Sequence, residues 1–149
     1  MSDIDLVLDH LINDVLATSE QPQGCSDREI EEIMADQKVD CLPQAYTSFL
    51  ERLGRGAGGL LKGTDAFYPR LIGVKDAAIE LLTEDGAPIR LPPDSLVIGM
   101  HQGYQFFWFP TVAQDDPKVL MFQEGDRIPH REWGTFSSYL NDMIKEIER

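Results

Sequence analysis

The sequence predicts an α+β fold, and three observations carry that reading. Apolar residues recur at three- and four-residue steps near both ends of the chain, the spacing of helices that bury one face. From Leu91 onward the texture changes to short apolar runs separated by Gly, Pro and Asp, which is how strands and their turns read. The 149 residues are enough for one core, because at this length folding hides roughly 70% of the surface that the unfolded chain exposes. A single domain over 1–149 is therefore expected.

The elements follow in order. Ile4, Leu8, Leu11, Ile12 and Val15 mark an amphipathic helix with Asp5, Asp9 and Asp14 on its wet side and Ser2 or Asp3 in the capping position. Thr18 to Gly24 has no periodicity and reads as a loop. The domain is thus expected to carry an additional acidic helix over 1–18 and a loop over 19–25. Ser26-Asp27-Arg28-Glu29 is a capping box, in which the Ser hydroxyl and the Glu carboxylate each satisfy a backbone donor of the first turn. It opens a helix that buries Ile30, Ile33 and Met34. Leu42 to Gly54 is the best-punctuated element: Pro43 suits a first helical position, Gly54 a left-handed C-terminal cap, and Tyr46, Phe49, Leu50 and Leu53 form the buried stripe.

After the glycine-rich stretch 54–59, the apolar runs 59–61 and 66–72 are expected as strands, and Val74, Ala77, Ala78, Leu81 and Leu82 as a short helix. Runs 95–101 and 104–109 read as strands joined by a two-residue Gln102-Gly103 turn. A further strand, 118–123, lies between the turn sequences Asp115-Asp116-Pro117 and Glu124-Gly125-Asp126. These strands should pair antiparallel. Phe136, Leu140, Met143, Ile144 and Ile147 share one face of a closing helix capped by Thr135 or Ser137.

Charge narrows the function classes. Acidic side chains number 26 against 13 basic, for a net charge of −13. Phosphate-rich nucleic acids and anionic membrane surfaces would repel such a chain. The imbalance is concentrated, with 11 acids and 2 bases in residues 1–40 (net −9) against 15 and 11 in the rest (net −4). Such a surface either solvates amphipathic helices or attracts a basic protein. Two cysteines, Cys25 and Cys41, are too few for a disulfide scaffold and fit no Cys-x-x-Cys metal pattern, so free thiols are expected. Acids at the N-terminus, where a secretory signal carries bases, and apolar runs far short of the roughly 20 residues of a membrane span point to the cytoplasm.

Catalytic signatures are weak. Gly54-Arg55-Gly56-Ala57-Gly58-Gly59 matches Gly-x-Gly-x-x-Gly formally, but it follows a predicted helix where a dinucleotide site needs a strand before it, so a helix end and turn is expected. His10, His101 and His130 have no second His or Cys at metal-ligand spacing, and no metal or cofactor is expected. A small hydrolase built on Cys41, a histidine and carboxylates is the enzymatic alternative. Phe106, Phe107, Trp108 and Phe109 point alternately to the two faces of their strand, so one set is core and the other is covered or exposed for binding.

The order of these features resembles a known group. The Ser26-x-x-Glu29 cap is followed by Leu42-Pro43-x-x-Tyr46-x-x-Phe49-Leu50 and a glycine turn. Then come Leu91-Pro92, Leu96-Val97-Ile98-Gly99, the glycine hairpin before Phe106, Pro117-Lys118-Val119 and Thr135-Phe136-x-x-Tyr139-Leu140. Over residues 26–147 this resembles the SUKH superfamily, the Smi-Knr group of bacterial immunity proteins and fungal cell-wall-synthesis regulators. The resemblance implies a mainly antiparallel sheet of four to six strands with N-terminal helices and a closing C-terminal helix packed around it. It also implies no enzymatic activity and a role in binding another protein, commonly a toxin domain, with a regulatory scaffold as the alternative. If that partner is a basic toxin domain, the expected contacts are Asp5, Asp9, Asp14, Tyr104, Trp108, Asp115, Asp116, Glu124 and Asp126.

Overall fold

The computed structural model describes residues 2–17 and 21–148. Five strands form one antiparallel sheet in the order β1-β2-β3-β4-β5, each beside its neighbour in sequence. They are β1 (Thr64–Asp65), β2 (Leu96–His101), β3 (Gln105–Phe109), β4 (Val119–Gln123) and β5 (Arg131–Trp133). The helices are α1 (Asp3–His10), α2 (Asp27–Gln37), α3 (Gln44–Leu53), α4 (Val74–Asp85) and α5 (Phe136–Glu148). The expected α+β architecture is present, with helices before the sheet and one closing it.

Side-chain alternation in β3 organises the interior. Phe107 and Phe109 face α3 and α5: Phe109 meets Tyr46 at 5.4 Å and Phe136 at 5.3 Å, and Phe107 meets Tyr139 at 5.5 Å. Phe106 and Trp108 point to the other face, where Phe106 also meets Phe122 across the ladder at 5.3 Å. Helix α4 lies along β2. All four aromatics of β3 are buried, so neither set is left for solvent.

Ser26 and Glu29 form the expected capping box, with the Glu29 N–H donating to Ser26 Oγ at 3.2 Å and the Ser26 N–H to Glu29 Oε1 at 2.9 Å. Pro43 stands one position outside α3, as its N-cap. Gly54 ends α3 in the right-handed region at φ −64°, not in the expected left-handed cap. Its missing side chain is needed for space instead, because a Cβ there would lie 2.5 Å from Cys25 Sγ. At α5 the reciprocal cap is Thr135 and Ser138: the Ser138 N–H donates to Thr135 Oγ1 at 3.0 Å and the Thr135 N–H to Ser138 Oγ at 3.2 Å. Ser137, the other cap candidate, is instead held by Asp116.

Other expectations need correction. Residues 59–61 and 66–72 are turns, not strands. Their apolar residues Leu60 and Leu71 are buried without joining a ladder, and the short β1 between them pairs with Met100 and His101. The β2–β3 hairpin closes through three residues, since His101 pairs with Gln105 and Gln102 and Gly103 both take positive φ. The first helix continues from α1 into a π-helical turn, Leu11–Val15, and β5 was not anticipated. Of the expected loop, residues 18–20 lie outside the described residues. Gln23 is strapped to the glycine turn, its N–H donating to Gly56 O at 3.0 Å and its carbonyl accepting from the Arg55 N–H at 2.8 Å.

Candidate interaction surfaces

The acids expected to meet a partner fall into three separate places. On the first helix Asp5 accepts from Ser2 Oγ at 2.8 Å, Asp9 pairs with Arg52 at 2.9 Å, and Asp14 lies 3.0 Å from His10. Asp9 thus clips α1 to α3. At one end of the sheet the β2–β3 and β4–β5 loops come together, because the Glu124 N–H donates to Tyr104 O at 2.8 Å and the Gln123 N–H to Asp126 Oδ2 at 2.9 Å. Tyr104, Glu124 and Asp126 therefore share a patch, with Tyr104 36% exposed.

Asp115 and Asp116 sit at the opposite end, in the β3–β4 connection. Asp115 is exposed, while its carbonyl accepts from the Ala45 N–H at the start of α3 at 2.9 Å. Asp116 is committed to the fold: it accepts from the Ser137 N–H at 3.0 Å and from Ser137 Oγ at 2.6 Å, an anion at the N-terminus of α5. Trp108 is also placed differently from an exposed anchor. At 3% exposure and 5.2 Å from Phe106 it belongs to the core, because the strand's second face is covered.

The carboxylates that sequence reading left off this set are on α2. Asp27, Glu31 and Glu32 are exposed along it, while Glu29 pairs with Arg55 and Asp36 accepts from the Gly73 N–H at 3.0 Å. The density of acids between 27 and 36 was the available signal. Together α1 and α2 present the most acidic part of the chain.

Among the described residues neither cysteine is hydrogen-bonded to a histidine, the pairing that the Cys41-based hydrolase alternative invokes. Among the described residues, His10 faces Asp14 and Glu148, His101 Nδ1 lies 3.1 Å from Thr64 Oγ1, and His130 is near Asp126. Cys41 Sγ contacts the Val112 carbonyl at 3.8 Å. Burial, with help from nearby Glu29, pushes the Cys25 thiol up to about 11, so it stays protonated and unreactive at neutral pH. No group of three or more His, Cys, Asp or Glu among the described residues is placed to hold a metal ion.

A groove of about 480 Å³ opens beside the sheet face that carries Phe107. Phe107, Met121 and Tyr139 lie at its base, with Leu61 and Lys62 on one wall and Met143 of α5 on the other. Lys62, His101, Arg131 and Glu146 supply its charged and imidazole groups. These residues come from four distant segments, and nothing in the sequence could have gathered them.

Among the described residues no helix is long and apolar enough to cross a membrane. No curated protein matches the chain significantly. Residues 24–142, from just before the α2 capping box to the middle of α5, match the sequence profile of the SMI1 / KNR4 family (SUKH-1). With most of its length inside that match, and with the capped helices and antiparallel meander described above, the chain belongs to the SMI1 / KNR4 family (SUKH-1).

Proposed function

We propose that this chain is a non-catalytic protein-binding domain, and specifically a cytoplasmic immunity protein that neutralises a partner toxin by direct contact. The observation that carries the reading is the exposed acidic surface of α1 and α2, set in a chain of net charge −13. Among the described residues, Asp27, Glu31 and Glu32 have no cation within ion-pair distance. Such a field raises the encounter rate with a basic partner more than it tightens the final complex. The role that the SUKH resemblance implies, binding a toxin domain without chemistry, agrees with this physics. No metal, cofactor or nucleic acid enters the proposal.

Co-expression with a basic toxin domain encoded beside this protein tests it. Growth should be restored and a complex should form with an association rate that falls as salt rises and the Debye length shrinks from about 10 Å at 0.1 M to about 3 Å at 1 M. Neutralising Asp27, Glu31 and Glu32 of α2 together, then Asp5 and Asp14, then Asp115, then Glu124, locates the facing surface by the loss in rate. Asp9, Asp116 and Asp126 are excluded because they clip α1 to α3, cap α5 and hold the turn after β4. Failure to rescue growth and to form a complex rejects the immunity role, and an association rate indifferent to salt and to all four sets rejects the steering.

A further inference from the structure

We propose that the groove between the 58–63 turn, the sheet and the second half of α5 docks an extended peptide segment of a partner protein, one that places a carboxylate beside a bulky apolar side chain. Its volume of about 480 Å³ lies within the range of about 300–1,000 Å³ usual for ligand sites. Its base is apolar, and two of its residues are methionines, Met121 and Met143. Unbranched, polarisable side chains let a surface repack around different apolar groups, which suits peptide capture. On the turn wall, Leu61 is held at φ 54°, an uncommon conformation for a bulky residue, while its neighbour Leu60 is buried in the core.

The sign of the partner comes from the ionisable groups. In the whole chain acids outnumber bases 26 to 13, but the groove lining holds two bases, Lys62 and Arg131, and one acid, Glu146, with Asp142 beside Arg131. The acidic excess of the chain is absent there, and Lys62 is the cation left open. Arg131 is steadied at the rim by Trp133, 4.4 Å beneath its guanidinium, and by Asp142 at 3.3 Å. Lys62 has no carboxylate within ion-pair distance among the described residues, so its ammonium is available. His101 Nδ1 shares a hydrogen bond with the Thr64 hydroxyl at 3.1 Å, which leaves Nε2 as the ring's other polar atom. A carboxylate is the ligand group that such donors recognise. An apolar neighbour on the same segment would cover Phe107, Met121 and Tyr139. The inference does not rest on the basic partner proposed above, since an acidic peptide can bind here whether or not a toxin is neutralised elsewhere.

Panning displayed random peptides on the full chain tests the proposal. The best synthetic peptide would then be titrated and followed by amide-resolved NMR. Lys62 is exposed on a turn, so both Lys62→Glu and the conservative Lys62→Arg should keep the fold. The expected result is enrichment of sequences that pair Asp or Glu with aromatic or aliphatic residues, with shifts confined to the turn, the groove-lining residues of the sheet and α5. Lys62→Glu should weaken binding at least about tenfold, and Lys62→Arg should leave it within about twofold. Enrichment of basic or uncharged peptides, no enrichment, shifts elsewhere on the molecule, or indifference to Lys62→Glu would each overturn it. So would a concentration-dependent dimer that fills the groove with a second copy.

Discussion

Two parts of the interior treat buried polar atoms in opposite ways. Where α2, α4 and β2 meet, Gln37 is fully buried yet satisfied: its Oε1 accepts from the Val97 N–H at 3.0 Å and its Nε2 donates to Val97 O at 2.6 Å. The strand β1 spans two residues and reaches only Met100 and His101, so Val97 has no strand beside it on that side. The Gln37 amide takes the place of the missing strand. Beside it Lys75 Nζ donates to three carbonyls, those of Gln37 at 2.8 Å, Ser95 at 2.8 Å and Pro93 at 3.3 Å, and burial lowers its pKa. In the aromatic cluster, by contrast, the Tyr46 hydroxyl is buried with no hydrogen-bond partner among the described residues. Burial pushes its ionisation far above the usual tyrosine range. The junction is specified by directional bonds, because an unmatched amide there strands backbone groups; the cluster is specified by shape, which tolerates one orphaned oxygen.

Substitutions can break or sharpen that contrast. The largest effect should come from the cluster's packing. Phe49 touches Tyr46, Phe67 and Phe136 at 5.5–6.0 Å between ring centres, so Phe49→Ala should cost about 3–5 kcal/mol in denaturant titration. A loss below about 0.5 kcal/mol, the range of ordinary surface changes, would mean that shape does not hold this region. Gln37→Leu keeps volume but leaves both Val97 backbone groups unpaired, and should cost about 2–3 kcal/mol. Faster exchange of the Val97 amide relative to Phe106 would localise the damage, and an unchanged stability would show that the amide is no substitute for a strand. Tyr46→Phe removes only the orphaned hydroxyl and should be neutral or stabilising by up to about 1 kcal/mol; a lowered Tm would reveal a partner for that oxygen and dissolve the contrast.

The smallest expected effect lies on the surface. His10 Nε2 is 2.8 Å from Glu148 and Nδ1 is 3.0 Å from Asp14, and these hydrogen bonds, that to Glu148 first, raise its pKa above the ordinary 6.5. The folded state therefore holds the proton more tightly than the unfolded one. The stabilisation is complete below about pH 6.5 and is lost as pH rises through the raised folded value. Because the ring is exposed, it should amount to less than about 1 kcal/mol. The stability difference between the parent chain and His10→Ala should shrink from about pH 6 to about pH 9, and a difference that grew with pH would contradict the contacts.

What the sequence disclosed and what it withheld divide along the same line. The helices from α2 to α5 and the strands β2 to β4 were legible because their signals are local: a capping box, a stripe at helical spacing, a glycine hairpin. The turns around Leu60 and Leu71 were misread as strands because an apolar run says that residues are buried, not that they join a ladder. Gln37 and Lys75 carried no warning, since a polar residue on a helix is ordinarily read as its wet side, and only the tertiary arrangement brings Val97 to one and three carbonyls to the other. The interaction surfaces were half visible. Acidity could be counted, but Asp116 turned out to be a helix cap and Trp108 a core residue, and the groove exists only once four distant segments meet.

The helix that opens the chain lies ahead of the family match, which begins at residue 24, yet it is not an appendage. Leu8 and Leu11 are completely buried, and α1 lies against α3 and α5. The boundary recognised by kinship and the boundary of the folding unit are therefore different places. A protein trimmed to the inherited portion would bare the apolar backs of two helices and invite aggregation. Any relative that lacks such a stave must cover that ground by other means, so the first turns of the chain are where members of this family would be expected to diverge in sequence while converging in what they hide.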